Sequence, residues 1–383
     1  MQEARIPYVD VAGAQAPLRD ELLAAVAEVI DHGQFILGPK VEEFEAAFSR
    51  LCGVEHAVGV NSGTDALMLV LRALDIGPGD EVITAPNSFV ASASCIAARG
   101  ARPVFVDVRP DYNLDPALLE DAITPRTRAI VPVHLTGRPA DMDAIMAVAT
   151  KHGLAVVEDA AQAVCARYRD QSVGSFGNAG CFSLHPLKTL GACGDAGIIT
   201  TNDAEIARKT RLYRNLGLET RDDCTVWSSN SRLDAVQAAL LLVKLPELEG
   251  WTERRCTNAR RYCEALSKIE GVDTPVDLPH ERAVYHTYMI SAEARDLLKE
   301  YLAMQGIDTA IHYPVPIHLQ TVAKNLGYLR GSFPVAERLA SRVLSLPVYP
   351  KLTEQQIERV CSSIRNFYAQ GLGSSTASNG ARG

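Results

Sequence analysis

Apolar positions recur at helical spacing over 22–30 and 41–48, and from there to about residue 205 short apolar runs alternate with amphipathic stretches. That alternation predicts an α/β fold with a mainly parallel sheet and helical crossovers. The run 54–60 leads through Asn61-Ser62-Gly63-Thr64 into a helical pattern over 66–74, and Glu81-Val82-Ile83-Thr84 leads past Phe89 into a small-residue helix over 91–98. Further strands are expected at 103–108, 129–133 and 155–157. The run 196–201 reads as a strand returning to the sheet, with an antiparallel orientation open, and Asn202-Asp203 caps the helix after it.

A boundary is expected near Leu248-Glu249-Gly250, after a long helix over 233–245. Residues 1–249 would form a large domain and 250–370 a smaller α+β domain. The pieces of the second are a helix over 251–269, a strand over 284–290, a helix over 293–305, an extended Pro-rich loop and terminal helices. The tail 371–383 carries too little apolar surface to offset its ordering entropy, so disorder is expected there. No internal repeat is evident at solenoid-like periods.

With 383 residues, 47% of them hydrophobic, the chain can bury a substantial core. A net charge of −8 argues against a nucleic-acid surface, which relies on a basic stripe. Arginines gather at 208–214 and 254–261 among acids and apolar residues, and are read as solvated helix faces. The N-terminus has neither a basic n-region nor a continuous apolar stretch, and no window approaches a membrane span, so a soluble cytoplasmic protein is expected. The cysteines form no Cys-x-x-Cys and no Cys/His set with zinc spacing, which predicts reduced thiols and no metal. Cys256 and Cys263 share a helix face and read as core or groove residues rather than a redox pair.

The candidate chemistry centres on Lys188, in Phe182-Ser183-Leu184-His185-Pro186-Leu187-Lys188-Thr189-Leu190-Gly191. A lysine after Ser183 and His185 in a Gly-bounded turn, with Asp159 ending an upstream buried strand, is the arrangement that pyridoxal phosphate (PLP) chemistry needs. The amine forms a Schiff base, and the carboxylate keeps the ring nitrogen protonated so that the ring can take up carbanion charge. Burial alone would push the carboxyl toward neutrality, so ring and Asp159 must be close and desolvated together. The turn Asn61-Ser62-Gly63-Thr64-Asp65 between strand and helix offers unpaired N–H groups to a phosphate dianion, although alone it could be an ordinary helix cap. Phe89 reads as a core residue or as a ring stacked on the pyridine. Gln162 reads as an exposed polar helix residue or as a contact to the cofactor's phenolic oxygen. The order along the chain, phosphate turn, aromatic, Asp159, Ser183, Lys188, is the order in which a PLP cradle collects its parts.

Over nearly its whole length the chain resembles the PLP-dependent nucleotide-sugar aminotransferases of the DegT/StrS type, an aspartate-aminotransferase-like (fold type I) family. The resemblance is carried by Val60-Asn61-Ser62-Gly63-Thr64-Asp65-Ala66-Leu67, Gly79-Asp80-Glu81-Val82-Ile83, Glu158-Asp159-Ala160-Ala161-Gln162-Ala163, Ser183-Leu184-His185-Pro186-Leu187-Lys188, Gly194-Asp195-Ala196-Gly197, Asn230-Ser231-Arg232-Leu233-Asp234 and His312-Tyr313-Pro314-Val315-Pro316-Ile317-His318. It implies a seven-stranded-type, mainly parallel sheet in the large PLP-binding domain. It implies Lys188 and Asp159 as the catalytic pair, Ser62, Gly63, Thr64 and Ser183 around the phosphate, Phe89 on the ring and Gln162 at the ring oxygen. Asn230 would reach a neighbouring subunit's cofactor, so the active form would be a homodimer or higher with composite sites. His312 and Tyr313 would line the substrate pocket, with His185, Arg232 and His318 as further substrate candidates.

The implied reaction is a ping-pong transamination in amino-sugar biosynthesis. An amino acid, most often L-glutamate in this family, leaves its nitrogen as pyridoxamine phosphate (PMP), and a keto sugar, usually nucleotide-linked, receives it, with Lys188 moving the proton. Thr136 and Arg138 depart from the common pattern. Arg138 could read a carboxylate or phosphate on the substrate or face solvent from a loop, and His185 could pack or act in catalysis. Two other readings keep the fold: the family's PLP-dependent sugar dehydratases, which carry histidine in place of the lysine, and a non-catalytic regulator. Lys188, Asp159 and the phosphate turn speak against both. A NAD-binding reading fails because no Gly-x-Gly-x-x-Gly follows the first strand.

Overall fold

The computed structural model describes residues 4–371. The tail expected to be disordered lies, beyond Gly371, outside the described residues. Seven strands form one sheet in the spatial order His56–Val60, Gly197–Thr201, Ala179–Ser183, Ala155–Asp159, Thr127–Val131, Glu81–Thr84 and Arg102–Phe105. Neighbours from Ala179–Ser183 outward to Arg102–Phe105 pair in parallel. Gly197–Thr201 is antiparallel to both of its neighbours, which settles the orientation left open for that run.

Side chains alternate across this sheet, so each strand feeds two cores. Ala57, Phe182 and Ile198 meet Phe44 and Phe48 of the Pro39–Cys52 helix and Ala238 and Leu241 of the Ala235–Lys244 helix. Val58, Cys181 and Ile199 meet Ala66, Leu67 and Val70 of the Gly63–Ala73 helix. Cover on both faces is why these strands read as continuous apolar runs rather than alternating ones.

A second sheet, antiparallel, joins Val272–Asp273, Tyr288–Ala292 and Val343–Leu346. The helices Leu248–Leu266, Arg295–Met304 and Glu354–Ala369 share its core. Residues 248–250, where a boundary was expected, open the first of these helices directly after the 3-10 turn Leu245–Glu247, whose early position suits Pro246. The helical run from 235 to 266 therefore passes from one core to the other. Ile6 pairs with Ile307 and packs into the second core, so the start of the chain contributes to it as well.

The two parts are tied by a small antiparallel sheet in which Glu281–Arg282 pairs with Arg167–Tyr168. Arg138 reinforces the tie: it is buried and donates to Glu281 and Asp277, each at 2.8 Å. Neither reading held open for Arg138 survives, because its guanidinium is spent on two carboxylates inside the protein. The expectation of solvated arginine faces is corrected in part. Arg208 pairs with Glu205 at the surface, but Arg214 is buried against Glu45, which supplies its counter-charge, and Arg255 is buried on the core side of its helix. The thiols of Cys256 and Cys263 donate to the carbonyl oxygens of Ala283 and Pro275, a groove position, and every cysteine is free. No helix among the described residues is long and apolar enough to cross a membrane, and no metal-ligating cluster occurs among them.

Candidate active site

Glu158 and Asp159 end one central strand, and the pleat sends their side chains to opposite faces. Glu158, fully buried, accepts hydrogen bonds from His134 Nε2 (3.0 Å) and from the backbone N–H groups of Gly174 (2.6 Å), Phe176 (2.8 Å) and Gly177 (2.9 Å). His134 Nδ1 accepts from the Ala140 N–H at 3.0 Å, so Nε2 carries the proton. Asp159, 5% exposed, looks the other way: Oδ2 accepts the Ser92 hydroxyl at 2.6 Å and Oδ1 the Ala161 N–H at 3.2 Å.

Ser183 ends the neighbouring parallel strand, and the chain folds back at once. Leu184 N–H donates to Ala196, Ala192 N–H to Leu184 and Lys188 N–H to His185, each at 2.8 Å. This tight loop holds the Lys188 amine out of bulk water on the Asp159 side of the sheet. Burial pushes its pKa down to about 8, and the negative charge of Asp159 opposes that fall.

The turn from Asn61 to Asp65 is held by close approach. Ser62 caps the Gly63–Ala73 helix, its hydroxyl accepting from the Asp65 N–H at 3.1 Å. A β-carbon on Gly63 would lie 2.8 Å from Ser183 Cβ, and one on Gly197 would lie 2.3 Å from the Ser62 carbonyl carbon. Only glycine at both positions lets the helix N-terminus abut the end of the Ser183 strand. Among the described residues the Gly63 and Thr64 N–H groups have no hydrogen-bond partner, and the positive end of a helix dipole lies behind them.

Polar and aromatic side chains gather on the same side as Asp159. Gln162 Oε1 accepts the Thr136 N–H at 2.7 Å, which turns its amide nitrogen toward the Tyr313 hydroxyl at 3.5 Å. Thr136 holds this bond from a left-handed conformation, φ 64°, an uncommon state for a β-branched residue. Phe89 is 54% exposed and sits 5.8 Å from the Tyr313 ring, so it is not a core residue but a face available for stacking. Tyr313 is pushed up to about 12 by burial and then by the charge of Asp159, with Gln162 pulling the other way.

His312 belongs to this group. Its Nδ1 pairs with the Ser345 hydroxyl at 2.9 Å, and burial and the Lys188 charge push it down to about 4. His185 is exposed; its Nδ1 accepts from the Leu187 N–H and its carbonyl receives the Lys188 N–H. His318 goes elsewhere. It is buried 3.0 Å from Glu337 and stacked edge-on against Phe333, an environment of packing rather than of substrate. Arg232 donates to Asn215 Oδ1 at 3.0 Å beside the Val60 strand end. Asn230 is exposed near Trp227, itself 90% exposed, and no hydrogen bond among the described residues joins it to Lys188, Asp159, Gln162 or Ser183.

Three residues of this region escaped the sequence reading. Ser92 lies one helical turn after Ser88, whose hydroxyl meets its own at 2.9 Å, and the Ser-x-x-x-Ser spacing was its only signal. His286 has a buried Nδ1 without a partner and is pushed well below the usual histidine range by burial, then by the charges of Lys188 and Arg255. Arg255 was masked by its neighbours in an arginine-rich helix.

Residues 17–365 match the DegT/DnrJ/EryC1/StrS aminotransferase family. The chain is 48% identical over 367 residues to a UDP-N-acetyl-3-dehydro-alpha-D-glucosamine 3-aminotransferase of Acidithiobacillus ferrooxidans, covering 95% of this chain and 98% of that protein. It is 46% identical over 364 residues to a dTDP-3-amino-3,4,6-trideoxy-alpha-D-glucose transaminase of Streptomyces venezuelae, covering 95% and 96%. The crystal structure of S. venezuelae DesV in complex with a ketimine intermediate superposes with a TM-score of 0.93 at 46% identity, over 95% of this chain and 99% of that one. Other structural neighbours are described in PMP-bound and PLP forms. By profile, by identity over almost the full length and by fold, the chain belongs to the DegT/DnrJ/EryC1/StrS aminotransferase family.

Proposed function

We propose that this protein transfers the amino group of an amino acid, L-glutamate, to a nucleotide-linked keto sugar in amino-sugar biosynthesis, using PLP. The observation that carries the reading is the amine of Lys188, brought to about 8 by burial, facing the ionisable Asp159 beside a helix N-terminus closed against Ser183. The donor set fits the cofactor. Lys188 would hold its carbonyl carbon and Asp159 its ring nitrogen. Ser62, Gly63, Thr64 and Ser183 would hold the phosphate, at a turn whose close approach to the end of the Ser183 strand depends on Gly63 and Gly197. Phe89 would cover the ring, and Gln162, with its amide nitrogen turned by Thr136, would meet the ring oxygen.

When bound, PLP supplies an electron sink for the charge left by a departing α-proton. The chain supplies the rest. Lys188 Nζ, whose pKa burial brings down to about 8 so that the unprotonated amine is accessible near neutral pH, would take the donor's Cα proton and later deliver one to the acceptor carbon. Tyr313, kept protonated by burial, accepts from the Gln162 amide and retains its own hydroxyl proton to donate, and His312 stays neutral. The large unit, 1–249, would seat the cofactor, and the smaller unit, 250–370, would bring His312 and Tyr313 to the same site. Asn230 and the exposed Trp227 fit contact with a second copy, so the active form is at least a homodimer, working in the cytoplasm.

Borohydride reduction of the PLP-loaded protein, followed by peptide mapping, should place the label on Lys188. L-glutamate should then convert PLP to PMP with release of 2-oxoglutarate, and mass spectrometry against a panel of nucleotide-linked keto sugars should find the acceptor. A protein that takes up PLP but reacts with no amino acid would defeat the reading.

A further inference from the structure

Behind Lys188 lie two buried cations without a counter-charge. Arg255 is 7% exposed; its Nη1 reaches only the carbonyl oxygens of Tyr285 (3.3 Å) and His286 (3.4 Å), and its Nε meets nothing. Lys244 is 1% exposed, and its Nζ donates to the Gly191 carbonyl at 2.7 Å and lies 3.5 Å from Cys193 Sγ. Neither forms an ion pair with an acid among the described residues. Both line, together with Lys188, a cavity of about 50 Å³ whose sole acid is Asp10. Asp10 is engaged in capping a helix, its Oδ1 accepting from the Gly13 N–H. Arg255 also lines a neighbouring cavity of about 70 Å³, with His286 and His312, that contains no acid at all.

A guanidinium taken out of water costs several kcal/mol unless a partner compensates it, and burial already pulls the Arg255 pKa down to about 10. The missing partner is an anion with two coplanar oxygens, which the planar fork of an arginine binds in bidentate fashion. Both a carboxylate and a phosphate present such oxygens. The cavities are far smaller than the roughly 300 Å³ or more of an ordinary ligand pocket, which favours a carboxylate over a nucleoside diphosphate. We propose that Arg255 is the seat of a carboxylate of the amino donor, with Lys244 adding positive potential from the same cavity. The inference rests on the aminotransferase reading above. Because Lys188 lines the same space, a donor anchored at Arg255 presents its amino end on the lysine's side.

The test titrates glutarate, a dicarboxylate without an amine, and separately uridine diphosphate, into PLP-loaded wild type, Arg255→Gln and Arg255→Lys by calorimetry, with circular dichroism and bound PLP as controls. Glutarate affinity should fall roughly ten- to hundredfold in Arg255→Gln and recover in part in Arg255→Lys, while the diphosphate binds all three alike. Should Arg255→Gln not fold, the lysine variant alone is expected to bind glutarate several-fold more weakly. Glutarate binding that ignores both variants, that is absent from wild type, or a loss falling on the diphosphate instead, overturns the assignment. If L-glutamate still converts PLP to PMP in wild type under any of those results, only the carboxylate seat has failed. If no amino acid reacts, the aminotransferase reading has failed instead.

Discussion

Ser92 donates its hydroxyl to the Asp159 carboxylate at 2.6 Å, with the Ser88 hydroxyl 2.9 Å behind it. The bond fixes the rotation of the acid whose charge acts on Lys188. Ser92→Ala leaves that carboxylate free to turn, and the half-reaction with L-glutamate should slow roughly tenfold, the scale of one hydrogen bond to a charged group. The visible spectrum of bound PLP should change its pH profile in the same variant, and Ser92→Thr should restore both. An unchanged pH profile would leave Ser92 a packing residue.

Lys188 titrates near 8 because of burial, against 10.5 for an ordinary lysine. In PLP-free protein the rate of cofactor uptake should rise with pH through about 8 and level off well before 10. The unfolded chain keeps that proton up to its ordinary value, so between about 8 and 10.5 it binds more protons than the folded one. This group therefore makes the PLP-free protein more stable as pH rises across that window. Thermal melts of wild type and Lys188→Ala across the window should diverge in that sense, and the variant should lose roughly a thousandfold or more in turnover.

Arg138 joins the large unit to the 277–281 segment through two carboxylates. Arg138→Ala strands the buried Glu281 without its partner and should cost about 3 kcal/mol in denaturant unfolding. A change of less than about 0.5 kcal/mol would mean that water replaces the guanidinium freely.

Asn230 stands exposed rather than in its own chain's pocket. Lys188→Ala and Asn230→Ala subunits, each inactive alone, should regain activity when mixed. Mixed dimers verified by mass that remain dead would show that each chain completes its own site.

Much of the architecture could be read from the order of short apolar runs, because a sheet covered on both faces leaves little else in its strands. Lys188, Asp159, Gln162 and the Ser62-Gly63-Thr64 turn were legible because each is an unusual residue at a fixed place between elements. Ser92, His286 and Arg255 were not, since what marks them is burial and an absent partner, which no local spacing records. His318 misled for the converse reason: it stands in a segment that resembles the family's, yet its ring is taken by Glu337 and Phe333. The helix expected from 251 instead begins at Leu248, whose packing into the large-unit core carries the helical run on from the 3-10 turn before it.

The ring of donors around Glu158 also guards against a slip. Shifting that strand by one position would exchange two adjacent acids, offering the longer one to the pocket and stranding the shorter one among N–H groups it cannot reach. The four donors latch the strand from its far side, so an insertion or deletion between Gly153 and Glu158 should erase the cofactor chemistry while the sheet itself still assembles.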